Sequence, residues 1–368
     1  MAKSKGPIRY AIVGLGHISQ GAMLPAFANA RRNSRVTALV SDDPEKLAAL
    51  AKQYGVKSTY AYADYDACLA EVDAVYIGLP NSLHAEYTVR AARAGVHVLC
   101  EKPMAVTAAE CQRMITACRK HHVKLMIAYR LHFEALNLKV VELVRSGRIG
   151  DAKFFNSSFS MTVRDGNVRT RGDMGGGSLY DIGIYCINAA RYLFRAEPVQ
   201  AMALSVHGGG KMFAEIDEST GALLRFEGER VAAFVTSFNA ANEGSYQIVG
   251  TKGAVHVDPA YEYRESLAYE LVIDGKKSKV SVPRSDQFAA QLLYFSDCIL
   301  HDRVPEPSGE EGLQDVRIVQ ALYRSAATGK AVSLPPFKKA RRPGLHQRIT
   351  RPALKMSKTI KVKSSSQS

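Results

Sequence analysis

No stretch of this sequence is apolar for long enough to cross a bilayer as a helix; the longest apolar runs, such as residues 74–79, are strand-sized. Cysteine is sparse. The six fall at 68, 100, 111, 118, 186 and 298, with no C-x-x-C pair and no spaced Cys/His set. That excludes a disulfide framework and a zinc site, leaves no metal expected, and suits thiols kept reduced. The first ten residues, MAKSKGPIRY, hold no apolar h-region, so no secretory leader is expected and the cytoplasm is the expected location. Acidic residues are missing from Lys338 onward, where ten Lys or Arg fall in 31 residues; of the formal net charge of +14, only +4 belongs to the rest of the chain. Residues 338–368 therefore read as a basic, disordered tail. A weak contact of that tail with nucleic acid or an acidic partner is the only such contact expected. No internal repeat is present.

What remains is a chain of 368 residues, 46% hydrophobic and 23% charged, long enough for two domains with sizeable cores. Residues 8–13 form an apolar strand that feeds into Gly14-Leu15-Gly16, and strands then alternate with helices. Strands are expected over 36–40, 73–79, 96–100 and 124–128. Helices are expected from Asp43-Pro44 to Gly55, from Asn81 or Ser82 to Gly95, and from a capping box at Thr107 and Glu110. That rhythm predicts a parallel sheet with right-handed crossovers over residues 1–128. After about residue 150 the pattern turns to longer alternating strands with short turns, interrupted by a helix over 178–194 and closed by helices near 286–301 and 311–327. Residues 129–337 therefore read as an α+β domain with a large, mainly antiparallel open sheet.

The strand–glycine–helix order at Gly14-x-Gly16 is the setting of a dinucleotide fingerprint. There the first glycine permits the turn and the second admits a pyrophosphate to the helix N-terminus, beside His17 and Ile18. Ser19 stands where the motif has its third glycine. Discrimination between NAD and NADP belongs at the end of the second strand, at Ser41-Asp42-Asp43-Pro44-Glu45-Lys46. Ser41 with Lys46 leaves room and charge for a 2′-phosphate, whereas Asp42 favours a free 2′-hydroxyl. NADP is expected, with NAD the alternative.

Oxidising an alcohol to a carbonyl needs a hydride acceptor and a base for the proton. Tyrosine titrates near 10 and serves as that base only beside a cation. Glu101-Lys102-Pro103, at the carboxyl end of the strand over 96–100, offers the amine. Gly175-Gly176-Gly177-Ser178-Leu179-Tyr180-Asp181-Ile182-Gly183-Ile184-Tyr185 offers the phenol, with Asp181 and Tyr185 four apart on one helical face. The triple glycine permits close backbone approach to a ligand, or a hinge. Leu79-Pro80-Asn81 closes the preceding strand at the same edge. His84, one turn on, reads either as a structural hydrogen-bonding residue or as part of the site. Arg130, after the strand over 124–128, reads as a substrate contact or a brace. Tyr185 as a core tyrosine and Lys102 as a solvated lysine remain open at this point.

Seven segments together resemble the Gfo/Idh/MocA oxidoreductase family, and within it the glucose-fructose oxidoreductase type. They are AIVGLG (11–16), LVSDDPEK (39–46), DAVYIGLPNSLHAE (73–86), CEKPMA (100–105), LMIAYRLHFE (125–134), GGGSLYDIGIYCIN (175–188) and SGEEGLQDV (308–316). The resemblance implies a Rossmann domain followed by a sheet domain through which relatives form dimers or tetramers. It implies Lys102 as the catalytic lysine, Tyr185 as the proton-transferring tyrosine, Asp181 as the acid that holds the sugar, and His84 lining the site. Around the cofactor it implies Gly14, Gly16, His17, Ile18, Ser41, Lys46, Leu79, Pro80, Asn81, Glu101 and Lys102; around the substrate, Lys102, Arg130, Asp181 and Tyr185. It also implies a Lys102-Pro103 bond that is often cis in relatives. The expected activity is hydride transfer between C1 of an aldose and NADP, with the cofactor either retained between two sugars or exchanged, as in a xylose or glucose 1-dehydrogenase. A non-catalytic NAD(P)-binding sensor is the alternative of another class.

Overall fold

A computed structural model describes residues 6–208, 210–339, 341–355 and 358–362. The chain divides into two compact units: residues up to Arg130, Ser285–Leu313 and residues from Ile349 make the first, and Leu131–Arg284 with Gln314–Arg348 make most of the second.

The first unit holds six strands, β1 (Ile8–Val13), β2 (Ser34–Val40), β3 (Ser58–Tyr60), β4 (Ala74–Ile77), β5 (His97–Cys100) and β6 (Leu125–Ile127), in the order β3-β2-β1-β4-β5-β6. Every neighbouring pair is parallel. This is the doubly wound dinucleotide order, with its topological switch between β1 and β4. All of β4, and all of β1 except Arg9, is buried, as strands covered on both faces require. The helices are a short α1 (Leu24–Ala26) that continues a π-helical turn over Ser19–Met23, then α2 (Pro44–Tyr54), α3 (Tyr65–Leu69), α4 (His84–Arg93) and α5 (Ala108–Lys120). The expected caps form. Asp43 accepts from the Lys46 N–H ahead of Pro44, Gly55 closes α2 in the left-handed region, and Thr107 and Glu110 make the reciprocal capping box.

The second unit opens with α6 (Ala135–Arg145), carries α7 (Ile184–Phe194) and is built on nine strands: β7 (Ala152–Ser160), β8 (Pro198–Val206), β9 (Ser219–Phe226), β10 (Arg230–Ser237), β11 (Glu243–Gly250), β12 (Gly253–Val257), β13 (Leu267–Ile273), β14 (Lys276–Val282) and β15 (Val332–Ser333). Their order is β14-β13-β12-β11-β7-β10-β9-β8-β15, antiparallel except for the β7–β10 pair. Asp274 and Gly275, both at positive φ, make the β13–β14 turn.

Two expectations about organisation differ from the structure. The stretch assigned to the second domain at 285–313, which contains α8 (Gln287–Leu300) and the start of α9 (Gly309–Thr328), belongs to the first unit. The reason is packing against β1 and β2: Ser296 Oγ lies 2.8 Å from both Tyr10 Oη and Ser34 Oγ, and Asn33 donates to the Leu293 carbonyl at 2.9 Å. The basic end, expected as a solvated tail, has fixed partners in its described residues. Arg342 donates to Glu197 at 2.8 Å, the Arg351 carbonyl accepts from Asp286 N, and Ile360 N donates to Gln20 Oε1 at 2.7 Å. Composition registers charge density, whereas these contacts depend on acceptors far away in sequence.

Candidate active site

The glycine turn follows from the local backbone. Gly14 has φ +89°, and a Cβ there would come within 2.6 Å of the Gly78 carbonyl oxygen, so no side chain fits between β1 and the end of β4. A Cβ on Gly16 would meet nothing within 4 Å, which leaves the space above the turn open to a ligand. Ser19 takes the place of the third glycine because Gly78 makes room: a Cβ on Gly78 would approach the Ser19 hydroxyl to 2.7 Å. The turn, its open face and the helix start behind it fit a dinucleotide pyrophosphate.

At the end of β2, Ser41 is buried and its hydroxyl accepts from Asp43 N at 3.2 Å. The Lys46 ammonium stands 3.7 Å from the Asp43 carboxylate. Asp42, the residue that favoured NAD, accepts the Tyr62 N–H at 2.8 Å. Its carboxylate is thereby engaged by the main chain of the next connection.

Glu101-Lys102-Pro103 leaves β5 at the carboxyl edge of the sheet, and the Lys102-Pro103 bond is cis. Glu101 accepts from the Tyr76 hydroxyl at 2.7 Å and from Lys102 N at 3.2 Å. Burial pushes its carboxyl above the usual range, against those bonds and the charges of Lys102 and Arg130. Arg130, itself buried, donates to Gln287 Oε1 at 2.5 Å and so ties the end of β6 to the start of α8 within the first unit.

His84, expected to line the site, packs between the connections that follow β4 and β5. It is buried, with Nδ1 2.9 Å from the Pro103 carbonyl and Nε2 2.9 Å from the Leu79 carbonyl. Burial pushes the imidazole below its ordinary value, and a neutral ring donates from one nitrogen only. The ring N–H therefore reaches one of these two carbonyls, and the ring packs between the residue after Lys102 and the residue before Pro80. It holds the edge in shape and is taken up by backbone.

In the second unit, Asp181 lies in a π-helical turn over Leu179–Gly183 that runs into α7, where Tyr185 is the second residue. π-turns of this kind are frequent at functional sites. The Tyr185 ring packs against Phe159 and Tyr261, with centroids 5.6 and 5.8 Å away. The buried Asp217 carboxylate anchors the start of the turn, accepting from Ser178 Oγ, Leu179 N, Thr220 Oγ1 and Tyr323 Oη. Asp217 does for this helix what an N-cap residue does, from 39 residues away.

Arg169, which motif reading did not single out, donates to Asp181 Oδ2 at 2.5 Å. The triple glycine explains its position. Gly176 N and Gly177 N donate to the carbonyls of Arg171 and Arg169, and a Cβ on Gly176 would come within 2.3 Å of the Arg169 carbonyl oxygen. The close backbone approach expected there is made to the 169–171 loop. No spacing rule pairs Arg169 with Asp181, since irregular chain lies between them.

Two domain descriptions match the chain: "Oxidoreductase family, NAD-binding Rossmann fold" over residues 8–129 and "GFO/IDH/MocA C-terminal domain" over 137–256. A D-xylose 1-dehydrogenase [NADP(+)] from Haloarcula marismortui is 33% identical, across 89% of this chain and 93% of its own. Among solved structures, aldose-aldose oxidoreductase from Caulobacter crescentus superposes with a TM-score of 0.85 at 40% identity, covering 89% of this chain and 100% of that one. A 3-ketoreductase from Actinomadura kijaniata, solved with NADP and TDP-benzene, gives 0.80 at 27% identity over 87% and 98% of the two chains. None of these three is of the glucose-fructose type that the motifs suggested. The doubly wound sheet, the matches to both halves and the xylose dehydrogenase together show that this chain is an oxidoreductase of the Gfo/Idh/MocA family.

Proposed function

We propose that this protein is an NADP-dependent sugar oxidoreductase that moves a hydride between C1 of an aldose and the nicotinamide. The observation that carries this reading is the position of Lys102, two residues past the end of β5 at the carboxyl edge of a doubly wound sheet, where ligands of such folds collect. Gly14, Gly16, His17 and Ile18 would hold the pyrophosphate, and Ser41 and Lys46 the 2′-phosphate. Leu79, Pro80, Asn81, Glu101 and Lys102 would hold the nicotinamide end. When bound, NADP supplies the hydride acceptor. Tyr185 takes the proton from the C1 hydroxyl, and the Lys102 ammonium supplies the positive charge against which that proton leaves. Asp181, held by Arg169, orients a sugar hydroxyl.

This chemistry can run in two ways. In one the cofactor exchanges at each turnover; in the other it stays while two sugars bind in turn. Incubating the purified protein with xylose or glucose, with and without NADP, separates them. Dependence on added NADP identifies a dehydrogenase, and aldonolactone formation without it identifies sugar-to-sugar transfer. Absence of both, with intact protein, would sink the proposal. Lys102→Ala and Tyr185→Phe should each cut kcat by about 10²–10⁴-fold. The reading also puts the enzyme in the cytoplasm, where its six buried cysteines stay reduced. It pairs the sheet of the second unit with that of a second copy.

A further inference from the structure

We infer that residues 358–362 are a C-terminal strap belonging to the cofactor site, with Lys361 a cation for the adenosine 2′-phosphate of the bound dinucleotide. The inference rests on the NADP reading above and adds to it a residue from the far end of the chain.

The strap has a built seat. Gln20, in the π-turn behind the glycine turn, is 1% exposed, and its amide is fully used. Nε2 donates to the Leu15 carbonyl at 2.7 Å and to the Ile360 carbonyl at 3.2 Å, while Oε1 accepts from Ile360 N at 2.7 Å. Leu15 is the middle residue of Gly14-Leu15-Gly16, so one buried amide joins the pyrophosphate turn to the backbone of residue 360. A pair of bonds to one buried side chain fixes position and register, which a solvated tail does not have. Thr359 Oγ1 closes the segment on itself by donating to the Val362 carbonyl at 2.7 Å.

This seat delivers Lys361 to the other half of the cofactor site. Its ammonium lies 2.6 Å from Glu45 Oε2. Glu45 is in the first turn of α2, between Asp43, which caps that helix, and Lys46. The Glu45 bond and, beyond it, the Asp43 charge hold the Lys361 ammonium above its ordinary value. The stretch after the second strand is where a dinucleotide-binding fold separates a ribose 2′-hydroxyl from a 2′-phosphate. The Lys361 and Glu45 side chains are 49% and 70% exposed. A pair so open to water and salt contributes little to folding. Gln20 holds the segment, and the ammonium is free to exchange Glu45 for a phosphate with two negative charges. With Ser41 and Lys46 from the stretch after β2 and Lys361 from the strap, the site meets the phosphate from two parts of the chain.

The test is a fluorescence titration of the full-length protein with NADPH and with NADH, comparing wild type, Lys361→Ala, Glu45→Gln, the double variant and the exposed control Lys358→Ala. Wild type should bind NADPH more tightly than NADH. Lys361→Ala should weaken NADPH binding about tenfold, the size of one charge-assisted contact, and leave NADH nearly unchanged. Glu45→Gln should tighten NADPH binding, and that gain should shrink in the Lys361→Ala background, because much of it comes from releasing the lysine. Lys358→Ala should change neither. Wild type that binds neither nucleotide would sink the NADP reading, and this inference with it. A normal NADPH preference that Lys361→Ala leaves intact would overturn the strap's role while the NADP reading stands. Equal loss of NADPH and NADH in Lys361→Ala would overturn the 2′-phosphate assignment.

Discussion

His84, Glu101, Arg130, Arg169 and Asp181 are each tied to a named partner, and those ties show which neighbours support the candidate site. His84 was readable either way in sequence, because a histidine one turn into a helix at a sheet edge suits both roles. Burial and contacts with two backbone carbonyls argue for support. His84→Ala should leave one of the Leu79 and Pro103 carbonyls without its donor and cost about 1–3 kcal/mol in urea unfolding. An unchanged unfolding midpoint would show that water replaces the ring at no cost. Arg169 was not legible at all: it sits in a loop positioned by backbone bonds from Gly176 and Gly177, and such bonds leave no side-chain pattern. If it aligns Asp181 for a sugar hydroxyl, Arg169→Gln should raise KM for the aldose about tenfold and change kcat less. Equal loss in kcat and kcat/KM would instead tie the arginine to the transition state.

At the scale of elements, five of the six strands of the first unit and its caps were legible because each is specified locally, by Asp43-Pro44, Thr107 with Glu110, or an apolar run of strand length; the three-residue β3 was not. The helix that bears Tyr185 runs where it was expected, over 178–194, but its cap and the π form of its first turn were not legible. Its cap is Asp217, remote in sequence, and its first turn is π-helical around Gly183, where a Cβ would meet Leu179 at 2.8 Å and Thr236 at 3.3 Å. Another interaction of this kind joins β5 to the start of β6. His97 Nδ1 accepts from Lys124 N at 2.9 Å, and burial, followed by the Lys124 charge, pushes the imidazole down to about 4. An unfolded histidine takes up its proton near 6.5. Between pH 6.5 and about 4 the unfolded chain therefore binds a proton that the folded chain refuses. The contribution is complete above pH 6.5 and is lost as pH falls through this window, by at most about 1.4 kcal/mol per pH unit for one proton. His97→Asn, whose side-chain oxygen can accept the same N–H, should flatten that part of the curve of urea midpoint against pH. A variant with the wild-type slope would assign the acid sensitivity elsewhere.

For the whole molecule, the change from alternating strands and helices to successive strands announced two architectures, and both are present. What the change of pattern could not give was the return of residues 285–313 to the first unit, since an apolar helix carries no mark of which core it will join. The second sheet carries its own signal about assembly. An antiparallel sheet with one face in water normally alternates apolar with polar residues. Here Met202, Leu204, Val206, Leu223, Val231 and Val235 stand 42–73% exposed on three neighbouring strands, β8, β9 and β10. The register puts Met202 opposite Leu223 and Val231 opposite Phe154, which is itself 41% exposed, so the apolar face runs on into β7. A monomer rarely leaves a contiguous apolar patch of this kind in water, and the same face on a second copy would cover it by two-fold pairing. Sedimentation at micromolar concentration should therefore find a dimer or larger species for the wild type. Leu204→Lys with Val235→Glu should shift it to monomer; both side chains are already more than half exposed, so folding should survive. A monomeric wild type, or a double variant that stays associated, would remove this face as the site of self-association.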